Sequence, residues 1–325
     1  MKKSLLKRAS AAVVMAVCVS GVQAQNDFPD RSVRMVVGFA PGGSTDKLAR
    51  LVAEAMATEL RQSVTIENKP GAAGNLAAEL VANAPADGYT VFMTTLSSQA
   101  INPHLYTSLR FDPAKSFAPI MLVAKYPLLL MTPPQLKLNS VPDFVTYSQA
   151  NPGKLNFSSA GNGSPAHLAG EMFKMQAGIE ATHVPYKGGG PAMMAVMSNE
   201  VQFAFETIPS GIGYVKGGKL KGLAVTSSER SGAAPDLPTM REVGVKDLAI
   251  TSWAGLVAPA GTPSAVLNRL SAAAQAALNR PAVRAALAAD GAQPGGGSAN
   301  DFASFMADEY QAWGKVVRTA KATVN

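Results

Sequence analysis

The sequence predicts an α/β fold with two domains. The chain has 325 residues, and a typical domain holds about 100–200 residues. Apolar residues make up 47% of the chain and charged residues 16%, a balance that supports a buried core and is not typical of disorder. Apolar runs also alternate with helical patterns through short glycine-rich loops. This alternation indicates parallel sheets that carry helices on both faces.

The N-terminal segment has the layout of a secretory signal peptide. Four basic residues come first, an apolar run follows from 9 to 19, and a small-x-small pattern ends at Ala24. We expect cleavage after Ala24. The apolar run is shorter than the about 20 residues that a membrane-spanning helix needs, so we expect no stable membrane insertion. An alternative is a lipid anchor on Cys18, although the bulky Val17 directly precedes it.

Removal of this segment changes the charge of the protein. The whole chain carries 29 basic and 22 acidic residues, and the segment takes away four basic residues and no acidic ones, which leaves a net charge of +3. No cluster of Lys and Arg remains that could follow a phosphate backbone, so we expect no nucleic-acid partner. The only Cys is lost as well. The mature chain therefore has no disulfide, no thiolate nucleophile and no Cys metal ligand.

The first part of the mature chain alternates strands and helices. Strands are predicted over 33–39, 63–67 and 89–95, and helices over 44–61 and 75–83. The first helix has apolar residues at i, i+3 and i+4 spacing from Leu48 to Met56, which is typical of a helix with one buried face.

The pattern then restarts. Strands are predicted over 117–124, 128–132, 154–159, 182–186, 201–205, 221–227 and 250–257, and helices from 164 to 176 and over 263–279, 281–289 and 299–319. The last helix carries an apolar stripe that includes Phe302, Trp313 and Val317.

Domain boundaries are not marked by a linker or a repeat. We therefore expect the chain to cross between two domains more than once, on strands, near 119–126 and 228–251. Domain 1 is then discontinuous, with residues 26–124 and 251–325, and domain 2 holds residues 125–250.

Enzyme signatures are scarce. The three histidines form no HExxH pattern, and no GxSxG motif is present, so a zinc site and the commonest acyl-transfer site are not expected. The spacing from Gly38 to Ser44 resembles a phosphate loop but lacks its lysine. The segment 161–166 fits GxGxx[GA], yet the next strand does not end in the acidic residue that would hold a ribose. No cofactor is expected.

Three glycine-rich loops, at 41–44, 70–74 and 161–164, each follow a strand and open a helix. Helix N-termini bind anions through free N–H groups, and glycine allows close approach of a ligand to the backbone. Such loops can also be purely structural, with Ser44 and Ser164 acting only as N-caps. Because three loops share the pattern, we favour an anion clamp between the domains.

Four side chains near these loops each have two interpretations. Asp46 either favours the helix dipole or orders the first loop. His167 is either a capping residue or a ligand contact, and Lys187 is either a solvated charge or a ligand partner. Glu206 ends an apolar strand, where its carboxylate binds a ligand amine or hydroxyl, or caps the helix that begins near Thr207.

These segments resemble the tripartite tricarboxylate transporter substrate-binding receptors, the Bug/TctC family. The matching motifs are FAPGGSTD at 39–46, ENKPGAAGN at 67–75, ADGY at 86–89, INPHLY at 101–106, NPGKL at 151–155, HLAGE at 167–171, HVPYKG at 183–188 and GLVAPAGTP at 255–263. They cover nearly all of the mature chain in order.

The resemblance implies a two-domain periplasmic-binding-protein fold of the Venus-flytrap, type II-like kind, with a ligand cleft between the domains. It implies a periplasmic receptor without catalysis, cofactor or metal. The expected partners are a small organic anion, such as a di- or tricarboxylate, and the membrane permease subunits of a tripartite transporter. We expect a monomer. The alternatives are an exported α/β enzyme, such as an esterase or lyase acting on a small carboxylate, and an orphan receptor used for sensing.

The resemblance also implies where the ligand carboxylate is held, at the first βα loop and the facing loop of domain 2, largely by backbone groups and ordered waters. The candidate ligand-binding residues are Phe39, Ala40, Gly42, Gly43, Ser44, Asp46, Ser97, Ser159, Gly161, Ser164, His167, Tyr186 and Glu206. The family often has Asp-Asn at 206–207 and Ser-Leu-His at 165–167, where this chain has Glu-Thr and Pro-Ala-His. Because Glu206 reaches one methylene further than Asp, we expect a tighter pocket.

Overall fold

The structure is a computed structural model that describes residues 28–320 and 322–324. The predicted signal peptide, with Cys18 and the cleavage position at Ala24, lies outside the described residues. No helix within 28–320 combines the length and the apolar character needed to cross a membrane.

Ten strands and ten α-helices make up the described part of the chain. The strands are β1 (Val33–Val37), β2 (Val64–Asn68), β3 (Thr90–Thr95), β4 (Phe117–Thr132), β5 (Leu155–Ser159), β6 (Ala181–Pro185), β7 (Phe203–Thr207), β8 (Lys221–Val225), β9 (Thr251–Pro259) and β10 (Gln293–Gly296). The helices are α1 (Ser44–Leu60), α2 (Asn75–Ala82), α3 (Asn102–Leu105), α4 (Val141–Gln149), α5 (Pro165–Ala177), α6 (Gly189–Met197), α7 (Ile208–Lys216), α8 (Ser264–Asn279), α9 (Pro281–Ala289) and α10 (Ala299–Ala320). A π-helical turn, Ser97–Ile101, precedes α3.

The strands follow the order β2-β1-β3-β9-β4-β7-β5-β6, and β10 and β8 also pair with β4. We call the first lobe the part built on β1, β2, β3, β9, β10 and residues 117–127 of β4. The second lobe is built on β5, β6, β7, β8 and residues 128–132 of β4. In each lobe three strands are parallel, as the alternating pattern predicted. The strands β4 and β9 run antiparallel to their neighbours, since they carry the chain between lobes instead of following a helix on the same sheet.

The prediction of two separate strands at 117–124 and 128–132 is wrong, because β4 is continuous. Lys125, Tyr126 and Pro127 interrupt the apolar run, but their backbone pairs with Trp253, Ser252 and Thr251 of β9. From Leu128 onward, β4 pairs with β7 and β8 instead. The polar break in the sequence therefore marks the point where β4 changes partners.

Several helices were not predicted, and of α7 only the start near Thr207 was, because their sequences lack the helical pattern of apolar residues. Helix α7 contains Pro209, Gly211 and Gly213, and α6 begins with two glycines. Helix α4 did carry a start signal: the Ser140 hydroxyl accepts a hydrogen bond from the Asp143 N–H, which is the arrangement of an N-cap.

Helices cover both faces of each sheet. One core lies between the first lobe's sheet and helices α1, α8 and α9, and another lies between the second lobe's sheet and helices α6 and α7. The largest core continues across both lobes, from Phe92 to Phe203, and includes the predicted stripe of α10. Helix α10 packs against the π-helical turn of the first lobe and against α5 of the second.

Candidate ligand-binding site between the lobes

The carboxyl ends of β1, β3 and β7 converge where the two lobes meet, and a cavity of about 40 Å³ lies among them. Six predicted residues line it: Phe39, Gly43, Ser44, Ser97, Ser164 and Glu206. Ligands of α/β sheets bind at this edge, so we place the candidate site here. Two cavities of about 570 and 830 Å³ lie elsewhere, away from the carboxyl ends of the parallel strands.

The cleft between the lobes is closed in this structure. The Ala40 N–H donates to the Lys187 carbonyl at 3.0 Å, and the Ser44 N–H donates to the Ser210 hydroxyl at 2.8 Å. The Lys47 ammonium donates to the Pro209 carbonyl at 3.1 Å. Ordinary ligand pockets hold roughly 300–1,000 Å³. A small organic molecule therefore needs the lobes to be further apart than they are here.

Glycine allows the two backbones to meet at this point. A Cβ at Gly43 would lie 3.6 Å from the Gly189 nitrogen, and one at Gly188 would lie 3.1 Å from the Ala40 nitrogen. Gly188 also has a φ of 147°, which side chains rarely adopt. The first predicted loop and the 188–190 segment are thus in backbone-to-backbone contact.

Three buried oxygen atoms on this cavity have no hydrogen-bond partner within the described residues. They are Thr95 Oγ1, Ser97 Oγ and Glu206 Oε2. More than about 90% of buried polar atoms in proteins are hydrogen-bonded. Three unpartnered oxygens from two lobes on a single cavity are therefore the strongest indication that it receives a polar ligand.

Neutral donors dominate the lining of the cavity. Among the described residues that line it, none is Lys, Arg or His. Helix α1 begins at the N-cap Gly43, which offers no side-chain acceptor to the first N–H groups, so its N-terminus is open to an anion. Tyr126 contributes a hydroxyl, and burial raises its pKa to about 12, so it remains a neutral donor.

Glu206 is the one acidic side chain on the cavity, and it is 3% exposed. Its Oε1 accepts hydrogen bonds from the Thr207 N–H at 2.8 Å and the Thr207 hydroxyl at 3.0 Å. Burial raises the pKa of this carboxyl, and the bonds from Thr207 oppose the rise only in part. Thr207 occupies the N-cap position of α7, but its side chain accepts no hydrogen bond from the first N–H groups of that helix. Glu206 thus bonds to the capping residue through one oxygen and leaves the other facing the cavity.

Asp46 does not line the cavity but holds the first loop in place. Its carboxylate accepts hydrogen bonds from the Gly42 N–H at 2.9 Å, from the Arg50 guanidinium at 3.0 Å and from the Asn68 amide at 2.9 Å. Burial alone would raise the pKa of Asp46, but the bonds from Arg50, Gly42 and Asn68, with the charge of Arg50, lower it overall. Of the two interpretations, the geometry favours the one in which Asp46 orders the loop.

The predicted caps at Ser44 and Ser164 differ. Ser164 is the N-cap of α5, and its hydroxyl accepts from the His167 N–H at 3.2 Å. Ser44 is not a cap, because Gly43 holds that position and Ser44 is the first residue of α1. Ser44 instead uses its backbone N–H to reach the second lobe.

His167 supports the 159–164 loop from behind. Its Nδ1 accepts from the Gly163 N–H at 3.2 Å, and its ring stacks on that of His183 with centroids 4.1 Å apart. His183 Nε2 lies 2.6 Å from the Ser159 hydroxyl. Burial lowers the pKa of His167 to about 4 and that of His183 to about 3, so both rings are neutral near pH 7.

A second cavity between the lobes, of about 200 Å³, shares Phe39 and Ala160 with the first. Gly161 and Tyr186 line this second cavity, together with Lys187. The Tyr186 hydroxyl donates to Glu200 at 2.9 Å. Ala40, Gly42, Asp46, Ser159 and His167 line neither cavity. Their assignment as ligand-binding residues stays a prediction.

Nine lining residues were not among the predicted site residues: Thr45, Thr95, Tyr126, Ala160, Pro165, Ala166, Gly189, Thr207 and Ser252. Thr95 ends the third predicted strand, so the rule applied to the other strands could have found it. Tyr126 and Ser252 are paired on β4 and β9, and no local pattern shows that these strands pass beneath the site. No group of three or more potential metal ligands occurs in the described part of the chain.

Comparisons with known proteins agree with this geometry. The model of a family described as "Tripartite tricarboxylate transporter family receptor" matches residues 48–321. The BugT protein of Bordetella pertussis is 34% identical over 98% of each chain. A protein of R. palustris solved with adipate has a TM-score of 0.89 and 36% identity, covering 91% of this chain and 99% of its own.

MatC from Rhodopseudomonas palustris, solved with bound malate, has a TM-score of 0.84 and 34% identity. The match covers 89% of this chain and 100% of that one. The periplasmic binding protein BugD has a TM-score of 0.88 and 32% identity, covering 91% of this chain and 99% of its own. The predicted α/β periplasmic-binding-protein fold is confirmed by this solved structure, and the chain belongs to the TctC family of tripartite tricarboxylate transporter receptors.

Proposed function

We propose that this receptor captures a small organic anion, with at least one carboxylate, between its two lobes in the periplasm. The observation that carries the proposal is the set of unpartnered buried oxygens on the cavity between the lobes, Thr95 Oγ1, Ser97 Oγ and Glu206 Oε2. The open N-terminus of α1 beside them supports an anionic ligand. Two relatives solved with adipate and malate support a carboxylate.

The receptor then delivers its ligand to the permease subunits of a tripartite transporter. Domain 1 would comprise residues 26–124 and 251–325, and domain 2 residues 125–250. A division within β4 is supported by its change of partners, which lies three residues beyond the proposed boundary, since Pro127 pairs with Thr251 of β9 and Leu128 pairs with Thr207 of β7. The basic start and apolar run before Ala24 support export and cleavage there.

Ligand capture requires opening and closing of the lobes. The closed cleft of this structure holds about 40 Å³, so the anion enters a more open form and the lobes close around it less far than they do here. A ligand that contacts both lobes binds the closed form more tightly than the open form, and it shifts the population toward closure by that difference.

A thermal-shift screen of the mature protein against di- and tricarboxylates tests the proposal. A ligand at 100 times its Kd should stabilise the native state by about 2.7 kcal/mol. Calorimetry should give one binding event for each chain, and chromatography should recover the carboxylate unchanged. The proposal fails if no carboxylate raises the unfolding temperature while a neutral solute or an amine does, or if the ligand is converted to product.

A further inference from the structure

One oxygen of Glu206 is committed to the protein and the other is free. Oε1 accepts from both the N–H and the hydroxyl of Thr207. Oε2 is buried and has no hydrogen-bond partner within the described residues, and Glu206 lines the cavity. A Cβ at Gly189 would lie 2.6 Å from this oxygen, so the start of α6 lies against it without donating a hydrogen bond. A polar group that enters the cavity can therefore bond to Oε2.

Among the residues that the structure describes, no cation is placed to neutralise Glu206. On α1, Lys47 donates to the Pro209 carbonyl and Arg50 is bound to Asp46. On α5, the buried His167 accepts from Gly163 through Nδ1.

The other elements that pack on β7 also leave the carboxyl unpaired. Tyr126 on β4 is a neutral hydroxyl, α6 has no titratable side chain, and Lys216 at the far end of α7 is exposed. Lys187, before α6, is exposed and lies on the second cavity.

A carboxylate ligand and an ionised Glu206 cannot share this cavity. Two carboxylates confined together without a cation retain one proton between them, because both cannot ionise at such a distance. The protonated form fits the geometry: Oε1 keeps its two donors from Thr207, and an O–H on Oε2 supplies the donor that a ligand carboxylate needs.

We propose that Glu206 is protonated in the liganded receptor and donates a hydrogen bond from Oε2 to the ligand carboxylate, so that a receptor whose Glu206 is ionised takes up one proton from solvent on capture. This inference rests on the proposed function. It makes Glu206 a specificity-determining residue, since the same carboxyl would have to be ionised to bind a ligand ammonium. Burial of the carboxyl, which raises its pKa, favours the same protonation state.

Calorimetry with adipate and malate, from pH 5.5 to 8.5, tests the inference. Each titration is run in two buffers of different ionisation enthalpy, which measures the protons taken up. For the wild type, Kd should rise by about tenfold per pH unit above the pKa of Glu206 in the free receptor, with uptake approaching one proton.

Glu206→Gln is the decisive variant, because glutamine copies the protonated form: its oxygen can accept from Thr207 and its amide can donate to the ligand. Its affinity should not change with pH beyond the ligand's own titration, and above pH 7.5 it should exceed that of the wild type. Glu54→Gln, an exposed change on α1, should behave as the wild type.

The inference is overturned if Glu206→Gln binds more weakly than the wild type at every pH. It is equally overturned if the wild type binds adipate or malate at pH 8.5, the upper end of the range, without taking up a proton, a measurement that needs no variant. If no carboxylate binds the wild type even at pH 5.5, the proposed function itself fails, and the two failures remain distinct.

Discussion

The backbone N–H of Ser44 donates a hydrogen bond to the hydroxyl of Ser210, over 2.8 Å and 166 positions of the chain. Ser44 begins α1 in the first lobe, and Ser210 lies in the first turn of α7 in the second. The helix N-terminus that is open to an anion is thus also fastened directly to the opposite lobe. Closure and ligand binding therefore depend on the same few atoms.

Ser210→Ala should favour the open form. The variant leaves the Ser44 N–H without its acceptor, and a typical hydrogen bond contributes about 0.5–1.5 kcal/mol. Small-angle scattering of the ligand-free variant should show a larger radius of gyration than the wild type. Ser198→Ala removes a hydroxyl that bonds within the second lobe and should leave the scattering unchanged. Identical profiles for Ser210→Ala and the wild type would show that this bond does not hold the lobes together.

Gly43→Val should weaken carboxylate binding without unfolding the protein. Gly43 has a φ of −79°, which any residue adopts, but its Cβ would face the backbone of Gly189 at 3.6 Å. The additional methyl groups would raise the free energy of closing the lobes by about 1–3 kcal/mol. The Kd should therefore rise by roughly tenfold to a hundredfold. Gly213→Val, with nothing within 4 Å of its Cβ, is the matched control. Calorimetry that gives equal Kd values for the two variants would contradict a clamp at Gly43.

Asp46→Asn should destabilise the native state more at neutral pH than in acid. The folded pKa of Asp46 lies below its usual value of 3.8, so its contribution is complete well above that value and declines as the pH falls through it. Loss of charged hydrogen bonds should cost about 1–3 kcal/mol at pH 7. Urea unfolding at pH 7 and pH 3 measures this, with the exposed Asp236→Asn as control. A difference of equal size at both pH values would rule out the charge of Asp46 as its cause.

His183→Gln should flatten the dependence of stability on pH in weak acid. Burial holds the folded pKa of His183 at about 3 and that of His167 at about 4, below the usual 6.5. The unfolded chain binds these protons first, so stability is complete above pH 6.5 and is lost as the pH falls toward 4. The variant should reduce the proton uptake on unfolding at pH 5 by about one. The proton uptake follows from the free energy of unfolding by urea, measured between pH 7 and pH 4.5. If the slope of this free energy against pH is the same in the variant and the wild type, His183 is not held neutral in the folded protein.

Intact mass of the protein from a periplasmic extract should correspond to a chain that begins at Gln25. The small-x-small pattern ending at Ala24 predicts cleavage there. Cys18→Ser is the control for the alternative of a lipid anchor, and it should be exported and cleaved in the same way. A mass that includes a lipid on Cys18, or the full precursor as the main species, would contradict the prediction.

The sequence predicted those residues of the candidate site that lie in a loop between a strand and the next helix. Glycine-rich loops after strands led to Gly43 and Ser164, because a βα unit places its own loop at the sheet edge wherever it folds. Tyr126 and Ser252 could not be found in this way. They reach the cavity only because β4 and β9 pair with each other, and pairing between distant strands leaves no signal in either one.

The alternatives for Asp46 and Ser44 were decided by contacts that span loops. The amide of Asn68, which lies 22 positions from Asp46, donates a hydrogen bond to the Asp46 carboxylate. This contact shows that the carboxylate holds the first loop in place. Gly161 is a further example. Its φ of 123° means that a valine there strains the backbone wherever the ligand lies, so Gly43, and not Gly161, provides the clean test of the clamp.

The continuity of β4 determines how the receptor can move. The two lobes are joined by hydrogen-bonded strands and not by a flexible linker. The Thr226 hydroxyl stabilises the place where the chain passes between the lobes: it accepts a hydrogen bond from the Leu128 N–H at 2.8 Å and donates one to the Ile250 carbonyl at 2.6 Å. Two paired strands that lie side by side bend more easily about one axis than they slide or stretch. We therefore expect the lobes to move by hinge bending about a single axis. A transporter that touches both halves would thus need to sense only one angle to distinguish a loaded receptor from an empty one.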